Sequence, residues 1–159
     1  MGVNELSTVL YKELELLDDL LYKLTIQELI LEANRPQWVD KSSQEIEKIV
    51  EDIRTLELVR ALEVSTTSEQ LGLETMANLE SITQIIEEPW QSILKSHLEA
   101  LRNVTSQIDY ISQRNKKSLQ NKIGMTTQAL DWLGETSLNN YSPNPEENRP
   151  QPHLINGIL

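Results

Sequence analysis

The sequence predicts an all-α fold: an elongated antiparallel bundle of three long helices with a short helical connector and a disordered C-terminal tail. Three observations lead there. Apolar residues recur at helical spacing over three long stretches, the last from about Pro89 to Leu133. Leu and Ile supply most of the apolar area, Phe is absent and only 4% of residues are aromatic, which favours helical packing over a sandwich or barrel. Breaks at Asn34-Arg35-Pro36, around Gly72 and at Gly134 separate the stretches. At 159 residues the chain suits one helical domain, residues 1–134, with residues 135–159 as the tail.

The first helix is expected over about Asn4–Ala33. Leu10, Leu17, Leu24 and Leu31 repeat every seven residues, Leu14 and Leu21 fill the intermediate position, and Val3 extends the seam back. A second row, Leu6, Leu16, Leu20 and Ile30, makes the apolar face too wide for a two-stranded seam and implies at least three helices meeting. Glu13, Glu15, Asp18 and Asp19 are expected to face water. Pro36 ends this helix, since it lacks an amide proton and disfavours a helical residue before it. Trp38 in the connection is expected to plug the end of the bundle.

The second helix begins near Asp40 or Ser42, where Ser42 and Glu45 have capping-box spacing, and runs to about Val64. Its stripe is Ile46, Ile49, Ile53, Leu56, Val59 and Leu62. A short loop between two long helices implies an antiparallel hairpin. Residues 65–89 are less regular, with a short helix or helical turns between Glu74 and Ile86. Glu87-Glu88-Pro89 then opens the final helix, acids facing the positive end of its dipole.

That final helix, about 89–133, carries Trp90, Leu94, Leu98, Leu101, Val104, Ile108 and Ile111 on one stripe, continued by Leu119, Ile123, Leu130 and Leu133. Unbroken, it spans roughly 65 Å at about 1.5 Å per residue, longer than its neighbours. From Ile111 the spacing becomes four at each step, through Asn115 and Leu119 to Ile123. Such a change unwinds a left-handed seam and turns the stripe away from its first partner. The pattern leaves two outcomes open: continued burial in a straightened bundle, or a stripe that leaves the bundle and offers itself to another helix. Asn115 on the seam has the character of a register-fixing polar residue. Past Gly134 the chain is rich in Asn, Pro and polar residues, with Tyr141, Leu154, Ile155, Ile158 and Leu159 as apolar islands suited to docking.

A formal charge of −11 opposes nonspecific binding to nucleic acid or to an anionic membrane. It suits a soluble protein that can hold an adhesive partner. The basic run Arg114, Lys116, Lys117 and Lys122 is read either as solvated charge or as guidance for an acidic partner toward the nearby stripe. There is no cysteine, hence no disulfide and no thiol chemistry. No apolar run approaches the roughly 20 residues of a membrane span, and MGVNELS lacks the pattern of a secretory signal, so a cytoplasmic location is expected. His97 and His153 are the only histidines. No HExxH, GxSxG or phosphate-loop pattern occurs, and the carboxylates are spaced as solvated helix faces. We therefore expect neither enzyme activity nor a metal or other cofactor. Asn103-Val104-Thr105 matches a glycosylation sequon by chance, being mid-helix.

Three stretches, taken in order, resemble the FlgN-type flagellar type III export chaperones. LGLETMANLESI followed by EEPW is similar to that family's connector and the start of its final helix. QIDYISQRNKKSLQNKIGMTTQALDWLG is similar to the final helix itself, with Arg114-Asn115 preceding leucines and a closing apolar cluster. Tyr141 stands about where the family carries a tail tyrosine that serves the export gate, although Ser142-Pro143-Asn144-Pro145 replaces the glycine-containing turn often found there. The resemblance runs from residue 4 to about 143.

It implies a cytoplasmic chaperone that covers the C-terminal segments of hook–filament junction proteins and presents them to the cytoplasmic domain of the export gate. It makes Asn115, Leu119, Ile123, Leu130 and Leu133 the candidate substrate groove and Tyr141 the candidate for export-gate docking. The alternative from the residues alone is a noncatalytic coiled-coil adaptor or structural protein that self-associates through the final helix.

Overall fold

The leucine repeat of the first stretch forms α1, Val3–Glu32, with Asn34 in the left-handed conformation (φ 54°) closing its C-terminus. The Arg35 amide bonds back to the Ile30 carbonyl at 3.1 Å across that turn. The computed structural model describes residues 2–74 and 77–132, with the side chains of the last helix described as far as Met125. Among these residues the chain is helical without strands. After α1 come a short 3-10 turn at Pro36–Trp38, α2 (Val39–Gln70), α3 (Leu79–Ile85) and α4 (Trp90–Trp132).

α1 is the central element, packing along α2 on one side and α4 on the other, while α3 packs mainly on α4. Contacts fix the directions. Glu13 meets Arg60 and Lys23 meets Glu45, so α1 and α2 are antiparallel. Ser7 meets His97, Leu24 meets Asn115 and Leu31 meets Lys122, at sequence separations of 90 to 91, so α1 and α4 run parallel and in step. The core joins Leu6, Leu10, Leu17, Leu20 and Leu24 of α1 to Ile49 and Ile53 of α2, to Leu79, Ile82 and the adjoining Ile86 of the connector, and to the α4 stripe from Leu94 to Ile111. Each fully buried leucine contributes roughly 2 kcal/mol through apolar area removed from water.

Several expectations need correction. Glu13 does not face water: it is fully buried, and the second row of α1 is Leu6, Glu13, Leu20 and Gln27, a strict seven-residue repeat with two polar members. Leu16 and Ile30 are only half-buried. On α2, Val59 and Leu62 face outward, and Arg60 turns inward to meet Glu13. An acid in the α1 row draws a base into the facing position, so the apolar face of α2 shifts once past Ile53.

α2 also starts earlier and ends later than expected. Ser42 is buried inside the helix rather than capping it. The polar run after Val64 stays helical with Thr67 and Ser68 buried against the fold, while the Thr66 and Ser68 hydroxyls donate one turn back to the Leu62 carbonyl at 3.0 Å and the Val64 carbonyl at 2.7 Å. Trp38 does not plug the bundle. It is 51% exposed, with the Arg35 guanidinium 5.8 Å from its ring centroid. The connector helix α3 is capped by Asn78, whose side chain accepts from the Ser81 amide at 2.9 Å and hydroxyl at 2.8 Å. Its Glu80 pairs with Arg102 of α4 at 3.3 Å, and Gln91 Nε2 donates to the Thr83 carbonyl at 3.0 Å.

Candidate functional site: the C-terminal end of the last helix

The residues of α4 pass from core to surface within three turns. Ile111 and Asn115 are buried, Leu119 is half-buried, and Ile123 is 62% and Met125 70% exposed. Two physical causes act together. Four-residue steps advance a helical stripe by about 40° each, since four residues exceed one turn of ~3.6. In addition α1 ends at Glu32, level with Lys122, so α4 continues past it by roughly 15 Å at about 1.5 Å per residue. The stripe turns away from α1 and then outlasts it.

Asn115 is the last buried residue of α4 among those described. Its amide nitrogen donates to the Leu24 carbonyl at 2.9 Å and to Gln27 Oε1 at 3.3 Å. Gln27 Nε2 in turn donates to Ser43 Oγ of α2 at 3.3 Å. One polar chain thus crosses all three long helices, and because a buried amide left unpaired is costly, it fixes their register. Asn115 sits beneath the surface and acts on the α4 end by holding it in place. Among the described candidate groove residues, Leu119 is half-buried and Ile123 exposed beyond Asn115. The side chain of Leu130, and the whole of Leu133 and Tyr141, lie outside the described residues.

The basic run next to the stripe is partly used by the fold. Arg114 pairs with Glu28 of α1 at 2.8 Å and stacks 5.5 Å from the Tyr110 ring centroid. Lys122 donates to the Leu31 carbonyl, so its ammonium sits at the negative C-terminal end of α1. Lys116 and Lys117 are exposed on α4 beside these. The sequence gives the Lys122 cap away only once α1 and α4 are known to run in step, since a single lysine has no local signature of that role.

At the other end of the molecule the polar groups are internal. Glu13 Oε1 lies 3.4 Å from the Arg60 guanidinium, and neither Glu13 oxygen accepts a hydrogen bond from the described residues. Burial pushes its carboxyl up to about 7 against the pull of Arg60, with Glu57 adding to the rise. Burial raises Glu57 as well. His97 packs at the α1–α4 interface with Nε2 3.1 Å from Ser7 Oγ, and burial holds its pKa below the usual value. No group of acids and histidines among the described residues is arranged to hold a metal ion. None of the described helices is long and apolar enough to cross a membrane.

A family model described as FlgN protein matches residues 1–149. No curated protein and no solved structure matches the chain.

Proposed function

This chain belongs to the FlgN family, a family of flagellar export chaperones that is in general non-catalytic, and from that premise we propose that its cargo is the C-terminal segment of the hook–filament junction proteins. The cargo segment packs its apolar face on the end of α4, at Leu119 and Ile123 and onward to Leu130 and Leu133. Asn115 positions that surface. Tyr141, in the tail that follows, docks the loaded complex on the cytoplasmic domain of the export gate, and the protein works in the cytoplasm.

One observation carries this reading: the apolar stripe of α4 emerges from the core at Leu119 and is exposed at Ile123, where the helix continues past the end of α1. A helix laid in that position buries apolar area worth roughly 25 cal/mol per Å², less the ordering of both segments. Lys116 and Lys117 lie beside the stripe and favour cargo with acids flanking its apolar face.

The test uses Leu119→Asp and Ile123→Asp in the full chain, with binding to a junction-protein C-terminal segment measured beside far-ultraviolet circular dichroism. Lost binding with an unchanged helical spectrum is the expected outcome. Retained binding in both variants would place the groove elsewhere. Sedimentation of the unmodified chain separates the adaptor alternative, which requires a concentration-dependent dimer without affinity for the segment.

A further inference from the structure

The outward face of α2 carries apolar side chains that the proposed cargo site does not use. Leu58 is 75% and Leu62 65% exposed, one helical turn apart, with Val59 beside them at 40%. They face away from the core because Ile53 and Arg60 occupy the inward positions at this level. Val59 joins them to a shallow groove between α1 and α2 with Leu16 and Leu56 on its floor and Asp52 at its rim. Leaving a leucine in water forgoes roughly 1.5–3 kcal/mol, so this face gains from a cover.

We propose that the cover is this chain's own C-terminal segment, Leu154–Leu159, folded back onto the Leu58–Leu62 face of α2. The proposal does not rest on the chaperone reading. Area is the first argument. Three side chains and a shallow groove make a small face, below the roughly 500 Å² per partner of a stable interface. A tethered segment works at an effective concentration near the millimolar range, so a weak contact suffices.

Composition is the second argument. Leu154, Ile155, Ile158 and Leu159 supply four apolar side chains within six residues, enough to cover the three on α2.

Reach is the third. Residues 133–153 can span up to roughly 70 Å when extended. Leu58 lies about 30 Å along α2 from Val39, the end beside which α4 passes the end of α1, and the part of α4 beyond α1 adds roughly 15 Å. The segment reaches with slack. A second copy is the poorer occupant. Antiparallel pairing of two α2 helices that sets Leu58 against Leu62 also sets Glu51 of one copy against Glu69 of the other, in a chain of formal charge −11.

The test exploits the absence of cysteine. A nitroxide is attached to full-length protein at Gly157→Cys, and the leucine methyl resonances of α2 are followed by NMR. The expected result is that Leu58 and Leu62 lose most of their intensity, independent of protein concentration, and regain it when Leu154→Asp and Ile158→Asp are added. Unchanged Leu58 and Leu62 resonances overturn the proposal. Broadening that passes from spin-labelled copies to isotope-labelled, nitroxide-free copies in a mixed sample also overturns it, in favour of a dimer.

Discussion

α4 is one helix in two environments. From Trp90 to about Lys122 it lies alongside α1, and its apolar positions from Leu94 to Ile111 are buried. From Ile123 to Trp132 it continues beyond Glu32, where α1 stops, and Ile123 and Met125 are exposed. The residue types differ little between the two parts. What differs is the length of the neighbour. An apolar stripe states which side of a helix seeks cover, whereas the ends of the adjacent helices decide whether the molecule supplies that cover itself or leaves it to a partner.

Substitutions that strike each part should therefore fail in different assays. The largest expected effect on stability is at Leu101, which is fully buried. Leu101→Ala should cost about 2–5 kcal/mol in urea unfolding, through lost burial and the cavity left behind. A cost near zero there would mean that the covered part is not a packed core. At Ile123 the same truncation should change stability by no more than about 0.5 kcal/mol, because little of the side chain is buried by the fold. Comparable costs at both positions would erase the distinction.

The buried acid of α1 gives the next effect. The Glu13 carboxyl is raised from 4.5 to about 7, so between those values the folded state holds a proton that the unfolded state has released. Stability conferred by the protonated form is present in full below about 4.5 and is lost as pH rises through about 7. The span corresponds to an effect on the order of 3 kcal/mol. Glu13→Gln, with Glu57 still near Arg60, should flatten stability against pH over this window and leave the variant the more stable protein at pH 8. Urea titrations at several pH values check both. A wild-type stability that instead rises between pH 5 and 8 would contradict the buried placement of Glu13.

Asn115, at the boundary between the two parts of α4, comes last. Asn115→Ala removes its bonds to the Leu24 carbonyl and Gln27 and should cost about 1–3 kcal/mol, since both acceptors stay buried. It should also weaken cargo binding, by loosening the register of the free end. Loss of stability without loss of binding would show that the end of α4 does not depend on this layer.

Much of the fold was legible in the sequence and the exceptions share a cause. Helical periodicity located α1, the connector and the stripe of α4 through Ile111, because those positions are set by local geometry and apolar burial. The misplacements fell where polar residues do core work. Glu13 looks like a solvent acid until Arg60 is seen opposite it, and the pair is 47 residues apart in sequence. Thr66 and Ser68 look like a loop until their hydroxyls are found bonded to the helix they extend. The emergence of the α4 stripe was legible as a change of spacing. Its outcome was not, because that depends on where α1 ends relative to Lys122, a tertiary register that no local pattern encodes.

The most direct test of the account is calorimetric titration of the full chain with a junction-protein C-terminal segment from the same genome, repeated at several temperatures. The account predicts saturable binding to the wild type with a negative heat-capacity change, the mark of apolar burial, and its loss in Ile123→Asp. A folded protein that binds no such segment, or binds it with no change in heat capacity, would contradict an apolar cargo site on the end of α4.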